Sequence, residues 1–149
     1  MRIENRKARL RESLRALAWA ADQGAQESQR TIGFHAVAAA CDLLNIYLHQ
    51  ENLTDSSSDI THKKLRSDQM LERALPLEFP RRDEVASLLV SLESQRDGLC
   101  YGKLRSEQEA EESLALFGGS SAESMGRANP GEAAKEGKVM EHPAPYPEE

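Results

Sequence analysis

The stretch Gly33–His49, GFHAVAAACDLLNIYLH, constrains the fold of this chain more than any other. It contains no proline, and its one glycine stands at the front. Phe34, Val37, Cys41, Leu44 and Leu48 recur at three- and four-residue steps, which is one face of an α-helix. Ala36, Ala40, Leu43 and Tyr47 form a second apolar row beside it. A helix apolar over most of its circumference belongs in the middle of a bundle, and its alanines allow close neighbours without loss of helix propensity. Four polar residues interrupt this surface. His35, Asp42, Asn45 and His49 fall within an arc of roughly 80°, with Thr31 on the same stripe. Such a stripe faces a cleft, a partner subunit, or polar groups on a neighbouring helix. The two histidines lie about 21 Å apart along the axis, too far to share a metal ion. No metal site or cofactor is expected.

Before this stretch, a first helix is expected from about Ile3 to Asp22, with Leu10, Leu14, Leu17 and Ala21 as its inner row and Ala18 and Trp19 alongside. Its opening is basic (Arg2, Arg6, Lys7, Arg9, Arg11, Arg15), a face either solvated or available to RNA or an acidic partner. Gly24 is available as a left-handed C-cap. The central helix should run from near Glu27 to about Gln50. After a polar turn over 52–58, Ser58 or Asp59 can cap a third helix from Ile60 to Leu75, which Pro76 ends. A fourth starts near Arg81 with Val85, Leu88, Leu89, Leu92 and Leu99 inward, and Gly98 and Gly102 weaken its end. Ser106 and Glu109 spell a capping box for a short fifth helix carrying Ala110, Leu114 and Phe117.

The reading is therefore all-α: an antiparallel up-and-down four-helix bundle with a short fifth helix over residues 1–117. Residues 118–149 hold four prolines and five glycines but no Leu, Ile or Phe, and are expected to form a disordered acidic tail. A net charge of −6 argues against a generic charge-driven nucleic-acid binder while leaving room for a local basic patch. Cys41 and Cys100 lack any pairing pattern and read as buried thiols in a reducing compartment. No apolar run follows the basic N-terminus as in a signal peptide, and no stretch is expected to span a membrane, so the expected location is cytoplasmic. Phosphate-binding glycine loops, paired-His zinc motifs, CxxC pairs and nucleophile elbows are absent.

Three local features occur in a telling order. Gly33-Phe34-His35-Ala36 leads into the Ala-rich helix, Thr61-His62-Lys63 opens the third helix, and Arg96-Asp97-Gly98-Leu99-Cys100-Tyr101-Gly102 precedes Ser106-Glu107-Gln108-Glu109-Ala110. Together they resemble HEPN domains. The last piece is similar to the Arg-x-x-x-Asp-Tyr-Gly turn and acidic final helix of HEPN proteins often encoded beside minimal nucleotidyltransferases. The resemblance spans about residues 3–117. It implies a four-helix bundle, commonly dimeric, whose active members are metal-independent ribonucleases and frequently toxins. Their motif is an Arg, a polar residue and a His four to six residues beyond the Arg, at the dimer interface. The guanidinium neutralises charge building on a phosphate, and the imidazole exchanges protons with the hydroxyl groups.

Arg96 and Asp97 match that motif, but Tyr101 stands where the His would fall and Cys100 replaces the Asp before it. A phenol with a reference pKa of about 10 is a poor base at neutral pH. The resemblance thus implies a non-catalytic or degenerate nucleotide- or RNA-binding module, pairing with a nucleotidyltransferase-like protein in a toxin–antitoxin-like couple. The apolar surface of helix two, too wide for one neighbouring helix, predicts a homodimer through helices two and four. The alternative is a ribonuclease using Arg96 with His35, His49 or His62 as base; the second is a helical adaptor without nucleotide binding. Arg96, Asp97 and Tyr101 are the catalytic candidates, and Arg96, Tyr101, His35, Asp42, His62 and Lys63 the nucleotide- or RNA-binding candidates. Arg96 and Tyr101 lie about 140° apart on a regular helix. If Gly98 and Gly102 let the turn open, Arg96, Asp97 and Tyr101 should line a groove beside the polar stripe.

Overall fold

The computed structural model describes residues 2–54 and 59–119. Over them the chain is all-helical: α1 (Ile3–Gln23), α2 (Gln29–Gln50), a 3-10 helix (His62–Arg66), α3 (Asp68–Ala74), α4 (Arg82–Cys100) and α5 (Glu107–Gly119). The acidic tail expected from residue 118 lies, from residue 120 onward, outside the described residues; α5 itself continues through Gly118 and Gly119.

The Ala-rich helix is the centre of the molecule. α2 packs against α1, α4, α5 and the 3-10 helix, and Ile32, Ala36, Ala39, Ala40, Leu44 and Leu48 have no exposed surface. The apolar breadth that raised the expectation of a homodimer is thus covered largely within one chain, with Phe34 left exposed. By length and composition α2 is also apolar enough to cross a membrane, which corrects the sequence reading; 61% of its apolar window is buried against the other helices. Arg6 faces Asp42 and Ser13 faces His35, so numbers rise along α1 as they fall along α2. Against α4, Arg30 meets Cys100 through its carbonyl, and Gly33 sits where a Cβ would come within 3.0 Å of both Cys100 Sγ and Leu99 Cβ. Gly33 is therefore a crossing point: any larger residue would push α2 off α4.

Several expected features are turned or shortened. The inner row of α1 contains Arg6, Ser13, Leu17 and Ala20, whereas Ala18, Ala21 and Trp19 face outward. Leu10 and Leu14 pack half-buried against the core as expected, and the buried face extends past them to include Arg6 and Ser13. Phe34, expected in the core, is 53% exposed. The third helix is not continuous: Ser67 is extended (φ −146°, ψ 150°), and its Oγ accepts the Met70 N–H at 3.1 Å to begin α3. A serine that caps competes with the helix it would otherwise join. Gly24 has φ +109° but ψ 127°, so it ends α1 without the left-handed C-cap geometry. Ser106 and Glu109 do form the reciprocal box, with N–H to carboxylate at 3.0 Å and N–H to hydroxyl at 3.3 Å. Gln29 then fastens the start of α2 to Arg105, donating to its carbonyl at 2.6 Å and accepting its N–H at 2.9 Å.

Candidate functional site

α1, α2, the 3-10 helix and α4 enclose an open cleft of about 520 Å³. Its floor is apolar and small, made by Val37, Ala38 and Cys41 of α2. Arg6, Arg9, Glu12 and Ser13 come from α1, Asp59 to Thr61 from the turn before the 3-10 helix, His62 from the start of that helix, and Arg96 from α4. His35, Asp42 and Phe34 complete the α2 side. Four of the expected site residues, Arg96, His35, Asp42 and His62, therefore share one cleft although they are far apart in sequence.

The other three do not join them. α4 runs unbroken through Gly98 to Cys100, and the Arg105 guanidinium packs over Gly98, where a Cβ would lie 3.2 Å from it. The chain leaves helical geometry only at Tyr101 and turns at Gly102 (φ +88°). Tyr101 is 62% exposed, Asp97 and Lys63 are exposed, and none of the three lines the cleft. The expected groove through Arg96, Asp97 and Tyr101 is not formed: an unbroken helix keeps Tyr101 on a different side from Arg96.

The polar stripe of α2 divides into two halves. Toward the C-terminal end its groups turn into the fold, Asn45 hydrogen-bonded through both side-chain atoms and His49 Nε2 buried without a hydrogen bond. Asn45 donates Nδ2–H to the Ile60 carbonyl and accepts the Ile60 N–H, both at 2.8 Å, and His49 Nε2 lies 3.6 Å from Asp59. The earlier half opens to the cleft, where His35 Nδ1 meets Ser13 Oγ at 3.1 Å. Burial holds the His35 imidazole below its ordinary pKa, against the opposing pull of Glu12. Asp42 stands between the halves. It accepts from Arg6 Nη1 at 3.1 Å, while Arg6 Nη2 reaches Asp59 at 2.6 Å. Burial keeps the Asp42 carboxyl above its ordinary range, although the Arg6 guanidinium pulls it down. Arg6 is itself 4% exposed, so the basic face read on helix one loses this member to an internal ion pair.

Across the cleft, sequence reasoning missed Glu93. This residue is 6% exposed, and one of its oxygens lies 3.5 Å from His62 Nδ1 and 3.6 Å from Arg96 Nη1. Its other oxygen is buried without a hydrogen bond. The only signal for Glu93 was a carboxylate one turn before Arg96, on a helix whose inward face was judged by leucines alone. Burial pushes the Cys41 thiol up to about 12, with the Asp42 and Glu93 carboxylates adding to it, so this cleft-floor thiol is no nucleophile at neutral pH. Cys100, also buried, has its thiol raised by desolvation. Among the described residues no three His, Cys, Asp or Glu side chains converge to hold a metal ion.

Chemically, the cleft offers guanidinium groups on two walls, two imidazoles and an apolar floor. Arg6 is committed to carboxylates at short distance, whereas Arg9 is exposed and Arg96 is held only loosely. Those two arginines are the ones able to take an anion. No family model, curated protein or solved structure matches this chain.

Proposed function

We propose that this chain is a HEPN-like, up-and-down helical bundle that binds the phosphate of a nucleotide or RNA in the cleft without cleaving it. One observation carries the reading. Arg96, the residue matching the family's arginine, lines the same cleft as His35, Asp42 and His62, while Tyr101, at the position of the family's base, points elsewhere. A loosely held guanidinium beside an open cleft suits an anion, and the pairing that would make the family's nuclease is broken. A homodimer and a nucleotidyltransferase-like partner belong to the same reading through the resemblance.

A second reading is favoured by His62. Its Nδ1 faces Glu93 while the residue lines the cleft, and the same carboxylate oxygen approaches Arg96. A carboxylate that orients an imidazole beside a guanidinium is suited to proton transfer at a phosphodiester. Pure protein incubated with RNA, beside Arg96→Ala and His62→Ala, separates the two. Arg96-dependent retention of RNA without cleavage supports the binding module. Cleavage abolished by either substitution replaces it with a ribonuclease using His62. Neither binding nor cleavage leaves the helical adaptor.

A further inference from the structure

Phe34 is the one large apolar side chain on the cleft that packing does not explain. It is 53% exposed, on a helix whose other large apolar residues are buried or half-buried. Its ring is not loose. It stands edge-to-face on His35, with centroids 5.0 Å apart and planes at 84°, and His35 is anchored in turn by Ser13. Gly33, the residue before it, presses against α4 so closely that a Cβ there would lie 3.5 Å from the Arg96 Cα. The aromatic face on α2 and the loosely held Arg96 guanidinium on α4 thus line the same cleft. Next to them the floor is Val37, Ala38 and Cys41.

A site for inorganic phosphate alone would be small and walled by donors. This one measures about 520 Å³, within the roughly 300–1,000 Å³ typical of small-molecule sites, and Phe34, Val37, Ala38, Cys41 and Ile60 give it an apolar side. We infer that Phe34 is a stacking platform for a nucleobase whose phosphate lies on Arg96, so that the cleft selects ligands carrying an unpaired base. The inference rests on the anion-binding reading above. Stacking on an aromatic ring is tolerant of base identity, because every base presents a π-face. The cleft should accordingly discriminate base from no base more sharply than one base from another.

Calorimetric titration of the full chain with adenosine monophosphate and with ribose 5-phosphate tests this. The unaltered protein should bind the nucleotide more tightly than the sugar phosphate. Phe34→Ala should weaken the nucleotide by about tenfold and leave ribose 5-phosphate unchanged. Phe34→Tyr should restore the difference, and Arg96→Ala should weaken both ligands. Equal affinity of the unaltered protein for the two ligands, or an equal loss of both in Phe34→Ala, overturns the stacking role while leaving the anion site standing. A change of mass in light scattering on Phe34→Ala also overturns it, by assigning Phe34 to a contact between copies. Absence of binding by either ligand removes the anion site and the inference with it.

Discussion

At one end of the cleft Arg6 holds Asp42 and Asp59 at 3.1 and 2.6 Å; at the other, Glu93 meets Arg96 and His62 only at 3.6 and 3.5 Å. Both ends bury a carboxylate against a guanidinium, yet the contacts differ in kind. The short pairs have hydrogen-bond geometry and link α1, α2 and the turn before the 3-10 helix. The longer contacts lie near the outer limit of a hydrogen bond, while each end also buries a polar atom without a hydrogen bond, Arg6 Nε at one and a Glu93 oxygen at the other. A buried charge is stabilising only when its partner geometry is good. The Arg6 end is therefore a structural joint, and the Arg96 end is a site whose groups remain available to a ligand.

The sharpest way to break this comparison is Arg6→Ala. Removing one partner from a buried ion pair costs about 3–5 kcal/mol, and chemical denaturation should show a loss in that range. A loss under about 1 kcal/mol would mean that the Arg6 end is no more structural than the other. Next in size is Asn45→Ala, which strips both the N–H and the carbonyl of Ile60 of their hydrogen bonds. Two buried backbone groups left unsatisfied should cost about 2–3 kcal/mol, and hydrogen exchange at Ile60 should accelerate together with the loss.

Glu93→Gln probes the loose end by removing its charge while keeping its shape. With no short ion pair to lose and a buried charge relieved, stability should change by less than about 1 kcal/mol in either direction. A larger destabilisation would place a structural joint at both ends.

The smallest effect is one of pH. Burial keeps the His35 pKa below its ordinary 6.5, so the folded state binds fewer protons there than the unfolded chain. The contribution of His35 is then complete above pH 6.5 and lost as pH falls through 6.5 toward the lowered value. His35→Gln should flatten the stability profile in that window, as measured by denaturation midpoints from pH 5 to 7. An unchanged profile would show that His35 is solvated rather than held in the wall of the cleft.

Much of the architecture was legible in the sequence. The Ala-rich stretch implied a central buried helix because a surface apolar on nearly every side has no stable exposure to water. The Ser106–Glu109 box and the proline at residue 76 placed helix ends through local chemistry alone. Misreadings arose where polar groups decided a burial. Counting leucines found Leu10, Leu14 and Leu17 in the core of α1 but not Arg6 and Ser13, which are buried beside them. Ser67 broke a helix that periodicity had joined.

The candidate site was less legible, for a physical reason. Sequence nominated Arg96, His35, Asp42 and His62 on separate segments, and it determined their chemistry: which can carry positive charge, accept a proton or form a hydrogen bond. It also determined that Gly33 could sit at a close crossing, since only glycine lacks the atom that would clash. Tertiary structure alone decided that those four residues share a cleft, that Tyr101 does not, and that Glu93 lies buried behind two of them. Helix periodicity ranks the faces of one helix against water; it contains nothing about the angle at which another helix crosses it. That angle, set by the packing of α2 at Gly33 onto α4, is what brought Arg96 into the cleft that Phe34 and His35 also line.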